Sequence, residues 1–164
     1  MEPLAELIYL LSGRDLESET LDIMVAAVKD ARNDPDLDWM DEEAEPEEWT
    51  QIAIEFQLVN FVETGDKVDE LHELLSSGFE VPLRDYPLHA NKMDFLPDDY
   101  FRWLDEELAG RNPDAGGYEL ILWGNMLDDE LHALVVYRRD TPRILELAEG
   151  LALRVERATQ RRYC

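Results

Sequence analysis

Apolar residues recur at helical spacing through most of this chain and at alternate positions in a few short runs, and the two periods divide it into elements. Leu4, Leu7, Ile8 and Leu11 place one apolar face on a helix that Pro3 opens and Ser12-Gly13 stops. Over residues 18–32 the spacing returns with Leu21, Met24, Val25 and Val28. Glu19 and Asp22 sit in its first turn and Lys29 and Arg32 in its last, the polarity a helix dipole favours. Residues 33–45, with Trp39 and Met40 as apolar anchors among seven acids and a proline, hold no period and predict a loop. Pro46 then opens a third helix with the stripe Trp49, Ile52, Ala53, Phe56 and Val59, leaving Glu47, Glu48 and Glu55 outside it.

Two later stretches switch from helical to alternating period at a glycine. Val68, Leu71, Leu74 and Leu75 form a stripe ending at Gly78, after which Phe79, Val81 and Leu83 alternate with Glu80, Pro82 and Arg84 as an edge strand. Near the end, Thr141 caps and Pro142 starts a short helix that buries Ile144, Leu145 and Ala148 and stops at Gly150. Leu151, Leu153 and Val155 then alternate as a strand, the competing reading being one continuous helix over residues 142–162. Between these stretches, Asp98-Asp99 begin a helix carrying Tyr100, Phe101, Leu104 and Leu108 inward, and residues 118–123 and 131–137 form a hairpin. About four strands and six helices without βαβ alternation predict an α+β fold, with N-terminal helices packed on a small sheet. The expected core includes Leu21, Val25, Ile52, Phe56, Leu71, Leu104, Leu120, Leu122, Leu134, Val136 and Leu153.

Length changes the picture little. At 164 residues, 45% of them apolar, the chain fits one globular domain over 1–164 that buries roughly two thirds of its unfolded surface without metals or disulfides. Its single cysteine, Cys164, excludes an internal disulfide and agrees with a reducing, cytoplasmic setting. No apolar run is long enough to predict a membrane span, and the first residues do not read as a secretory leader.

Charge changes it more. With 39 acids against 15 bases the net charge is -24, which disfavours direct binding to nucleic acid. Residues 1–110 hold 30 acids and 7 bases, whereas residues 138–164 hold seven arginines and four acids. Those arginines either relieve the self-repulsion of the same fold or form an anion-binding edge.

Familiar catalytic patterns break down on inspection. Asp34, Asp36, Asp38 and Glu45 fall at positions 1, 3, 5 and 12 of a calcium loop, but Trp39 stands where that loop turns on glycine. His72-Glu73 begin a zinc-protease motif whose second histidine is replaced by Ser76, which leaves His72 as a helix-surface residue. His89 and His132 lack neighbours at ligand spacing, and there is neither a nucleophile elbow nor a phosphate loop, so no metal or cofactor is expected. Trp49, Trp103 and Trp123 read as packing residues. Trp39 projects from the acidic loop, an aromatic ringed by carboxylates that fits a binding anchor or a pin holding the loop to the body.

The segment Gly78-Phe79-Glu80-Val81 after a helix, the hairpin over residues 118–137 and the closing Leu147-Ala148-Glu149-Gly150-Leu151 resemble small bacterial α+β domains of unknown function. In acidity and size the chain also resembles immunity proteins, which cover the active site of a basic toxin enzyme, a likeness that transfers no individual residue. The resulting expectation is a non-enzymatic module that binds a basic protein partner through Trp39, Asp41, Glu42, Glu43, Glu45, Glu47 and Glu48. The alternative is a small hydrolase or metal-assisted enzyme whose carboxylates meet only in the fold; a cleft with inward carboxylates and a histidine would mark it.

Overall fold

The computed structural model describes residues 1–85, 97–124 and 130–160. Its helices are α1 (Pro3–Leu11), α2 (Ser18–Lys29), α3 (Pro46–Gln57), α4 (Val68–Ser77), α5 (Pro97–Ala109) and α6 (Thr141–Gly150). Its strands are β1 (Glu63–Gly65), β2 (Tyr118–Trp123), β3 (Leu131–Tyr137) and β4 (Val155–Arg157). They form one antiparallel sheet in the order β1-β3-β2-β4, with the hairpin at its centre, in register Tyr118 with Tyr137 and Trp123 with His132. This is the expected α+β fold.

Alternation along the central strands divides the core in two. Leu120, Leu122, Leu131 and Ala133 pack with Leu71 and Leu75 of α4 and Phe101, Leu104 and Leu108 of α5. Ile121, Trp123, Leu134 and Val136 meet the inward faces of α1, α2, α3 and α6. Helices therefore cover both faces, and the sheet forms the middle layer. The close approach of α5 to the start of β2 needs Gly117, which has φ +84°, because an added Cβ would lie 2.3 Å from the Ala109 carbonyl oxygen.

Four expectations are corrected. Residues 79–84 form no strand: Pro82 has no N–H to donate, Ser76 Oγ accepts from the Leu83 N–H at 3.0 Å, and Arg111 donates to the carbonyls of Val81 and Pro82. With side chains satisfying this backbone, the fourth strand is instead β1, three residues pairing with β3 at the sheet edge. The stripe of α3 is also turned. Trp49 and Ala53 are buried, but Gln51, Ile54 and Leu58 join them, whereas Ile52 is half-buried and Phe56 and Val59 are 42% and 65% exposed.

Gln51 explains the rotation. Its side-chain amide donates to the Arg154 carbonyl at 3.0 Å and accepts from the Arg154 N–H at 2.8 Å, and its own carbonyl accepts from the Trp123 indole at 3.1 Å. These bonds turn that edge of α3 toward β2 and β4. At the C-terminus, α6 stops at Gly150, the chain turns through Ala152 at φ +58°, and the strand occupies Val155–Arg157, which excludes the continuous helix and shortens the expected strand. Thr141 is the first helical residue and not the cap; Asp140 holds the cap position with its carboxylate committed elsewhere.

Candidate functional site

The acidic loop is anchored from below and open above. Leu37 and Met40 are buried in the core, and between them Trp39 is 54% exposed, its indole N–H donating to the Asp36 carbonyl at 2.9 Å. Asp34 accepts from the Asp36 N–H at 2.9 Å and Asp41 from the Glu43 N–H at 2.9 Å, so both close local turns. Glu45 precedes α3, and Glu47 and Glu48 occupy its first turn against the positive end of the helix. Asp41, Glu42, Glu43, Glu45 and Glu47 are exposed and Glu48 is half-buried. The nearby cation Arg32 donates to the backbone carbonyl of Glu42 at 3.4 Å and lies 5.0 Å from the centre of the Trp49 ring. Among the described residues, none of these six carboxylates forms an ion pair.

Three of the five described C-terminal arginines are used inside the fold. Arg157 donates to both oxygens of Glu119 at 2.9 and 2.8 Å, while Arg138 donates to Asp105 at 2.7 Å and lies 4.0 Å from Glu119. Arg143 holds Glu6 and Glu146. Relief of self-repulsion, the first reading of these arginines, describes Arg138, Arg143 and Arg157.

The histidines are likewise engaged. His72 bonds the Tyr100 hydroxyl at 2.8 Å and the Arg84 carbonyl at 3.1 Å and stacks edge-on with Tyr100, so it is half-buried in an aromatic cluster and not a bare surface residue. His132 is buried against Glu55. His89 lies outside the described residues. No three His, Cys, Asp or Glu side chains among the described residues converge as metal ligands.

A second site has no counterpart in the sequence reading. An open cleft of about 530 Å³ lies where the sheet face above α4 and α5 runs out, floored by Tyr118, Val135 and Tyr137. Tyr118 and Tyr137 stack with ring centres 5.3 Å apart, and Phe79 meets Tyr118 edge-on at 5.8 Å. Arg139 lies 5.1 Å over the Tyr137 ring, and no ion pair engages it among the described residues. Arg14, in left-handed backbone at φ +60°, donates Nε and Nη2 to the buried Asp140 at 2.8 and 2.7 Å. Glu63 reaches the cleft from β1, and burial pushes its carboxyl above the usual value. Asp15 also lines the cleft, but among the described residues no histidine does, so they do not assemble the pairing expected of a hydrolase here. These residues come from five separated segments. Of the arginines over residues 138–164 considered as an anion-binding edge, Arg139 lines the cleft.

No family model, curated protein or solved structure matches the chain. The resemblances to small bacterial domains and to immunity proteins gain no support from these comparisons.

Proposed function

We propose that this chain is an acidic protein-binding module acting in the cytoplasm, and that it presents residues 34–48 to a basic partner as an inhibitor or immunity-type protein would. One observation supports the reading: an exposed indole stands among six carboxylates that have no ion-pair partner among the described residues, in a fold that spends Arg138, Arg143 and Arg157 on other acids. Uncompensated charge of one sign accelerates encounter with an oppositely charged surface and loses that advantage in salt. Trp39 supplies what the carboxylates cannot, a large apolar area that is desolvated on contact and slows dissociation.

The test is capture of partners from the cells that make the protein, using the native chain, Asp41→Ser/Glu42→Ser/Glu43→Ser and Trp39→Ala side by side at low and high salt. A basic protein should be retained by the native chain at low salt, released at high salt, and lost from the triple variant. With that partner purified, Trp39→Ala should raise the dissociation rate by about tenfold or more. Recovery of no basic protein, or equal recovery by the triple variant, rejects the proposal.

A further inference from the structure

The cleft at the uncovered end of the sheet differs from the acidic loop in place and chemistry. Residues 12–15 precede α2 and residues 34–48 follow it, so this twelve-residue helix sets the two sites about 18 Å apart along its axis. A volume of about 530 Å³ falls within the range of small-molecule sites.

Its charges are arranged by the strand register. Glu63 sits opposite Ala133 on β3, and Tyr137, under Arg139, lies four residues farther along, which is about 13 Å at about 3.3 Å per residue. One end of the cleft thus carries a carboxyl and the other carries Arg139 and Arg14, with Val135 between them on β3, the Phe79 ring beside Tyr118, and Phe61 and Leu75 completing the apolar lining. The guanidinium end is held in place. Arg139 rests on an aromatic face, and Arg14 occupies a left-handed backbone conformation that is strained for a non-glycine residue and is fixed by two bonds to Asp140. Its Nη1 donates in neither bond and remains available.

Ligand classes of a single charge fit poorly. A cation seeking an aromatic cage finds the Tyr137 and Phe79 rings already bearing Arg139 and Arg111, at 5.1 and 4.8 Å. A polyanion meets Glu63 and Asp15. A molecule with one charge of each sign and an apolar middle matches all three parts. An extended tripeptide spans roughly 10 Å, close to the separation of the two ends. We propose that this cleft binds a short apolar peptide with free termini, its carboxylate held by Arg139 and Arg14, its side chain against Val135 and Phe79, and its ammonium facing Glu63.

Titration of the ¹⁵N-labelled full chain with alanyl-phenylalanyl-alanine, its carboxy-terminal amide and its N-acetyl derivative tests this. The free peptide should shift the backbone amides of Gly13, Asn60, Gly78 and Arg139, and amidation should weaken binding by about tenfold. Arg139→Met should reduce the preference for acid over amide to the part that Arg14 supplies. Glu63→Gln should erase the preference for amine over acetyl, and Asp15→Asn should tighten the free peptide. Arg139 is exposed and Glu63 half-buried, so both variants retain the fold. The proposal is overturned if no shifts appear up to about 10 mM peptide, if the three peptides bind the native chain equally, or if either preference is unchanged by its substitution.

Discussion

Around Glu119, an acid lies in the protein interior at 3% side-chain exposure and is met by Arg157 and approached by Arg138, which also reaches across to Asp105 on α5. Over residues 34–48 the acids are exposed, or half-buried at Asp34 and Glu48, and Arg32, the nearby cation, donates to a backbone carbonyl and lies over the Trp49 ring. The first region shows where charge serves the fold, because a carboxylate stripped of water needs a partner. In the second region solvent screens the charge, so the fold gains only local turn closure and helix-end contacts from it and little opposes its accumulation. A net charge of -24 therefore joins a part paired within the fold to a part that faces solvent.

The strongest way to break this comparison is Arg157→Ala. Glu119 would keep only Arg138, 4.0 Å away, and a largely unpaired interior carboxylate costs about 3 kcal/mol. Urea denaturation should show a matching fall in midpoint with an unchanged slope. Replacing both partners with leucine should recover much of the loss, since the penalty belongs to the orphaned charge. A cost below about 1 kcal/mol would mean that Glu119 is solvated like the loop acids, and the distinction would fail.

Gln51→Ala sharpens the comparison by testing what aims the loop. Gln51 bonds both backbone groups of Arg154 and so fixes the rotation of α3, the helix into which the loop runs. Losing these interior bonds should cost about 2 kcal/mol. It should also change the solvent accessibility of Phe56 and Val59, readable by labelling cysteines placed at those positions. This is the residue that sequence pattern misread. On apolar spacing alone, Ile52, Phe56 and Val59 make as good a stripe as Ile54 and Leu58, and only a glutamine that finds backbone partners on distant strands decides between them.

Legibility elsewhere followed the same rule. Helices α1, α2, α4, α5 and α6 and the hairpin were readable because many residues agreed on one period. Glu63-Thr64-Gly65 was not, since a three-residue polar edge strand has no alternation to detect. Residues 79–84 alternated convincingly, but their backbone is satisfied by Ser76 and Arg111, a contact that spacing cannot express. The acidic loop was visible because it is contiguous. The cleft was invisible because Arg14, Glu63, Phe79, Tyr118 and Arg139 meet only after the sheet forms.

A smaller effect separates paired surface acids from the loop. Hydrogen bonding by Arg84 holds the Glu107 carboxyl below its usual value near 4.5, and Arg143 does the same for Glu6. Stability gained from a lowered carboxyl is complete above the unfolded value and is lost as pH falls through the folded one. Glu107→Gln should therefore flatten part of the decline in Tm below about pH 5, with little change at neutrality beyond the lost pair. An identical acid profile in native and variant protein would show that the Arg84 contact has no thermodynamic weight.

The smallest effect on stability is expected from Asp41→Ser/Glu42→Ser/Glu43→Ser, and its smallness carries the argument. These side chains are exposed and make no ion pairs among the described residues, while the turn that Asp41 closes on the Glu43 N–H can be closed by a serine hydroxyl. What is removed is mutual repulsion, which acts within a Debye length of about 8 Å at physiological salt. Stability at low salt should stay within about 0.5 kcal/mol of the native value, shifted if anything upward. Raising the salt should stabilise the native chain more than the variant, because only the native loop has repulsion left to screen. A loss above about 1 kcal/mol would show that the loop acids support the fold as Glu119 does. Unchanged stability together with unchanged partner capture would return the loop to an ordinary solvated surface, and the -24 charge would then have no site at which it acts on another molecule.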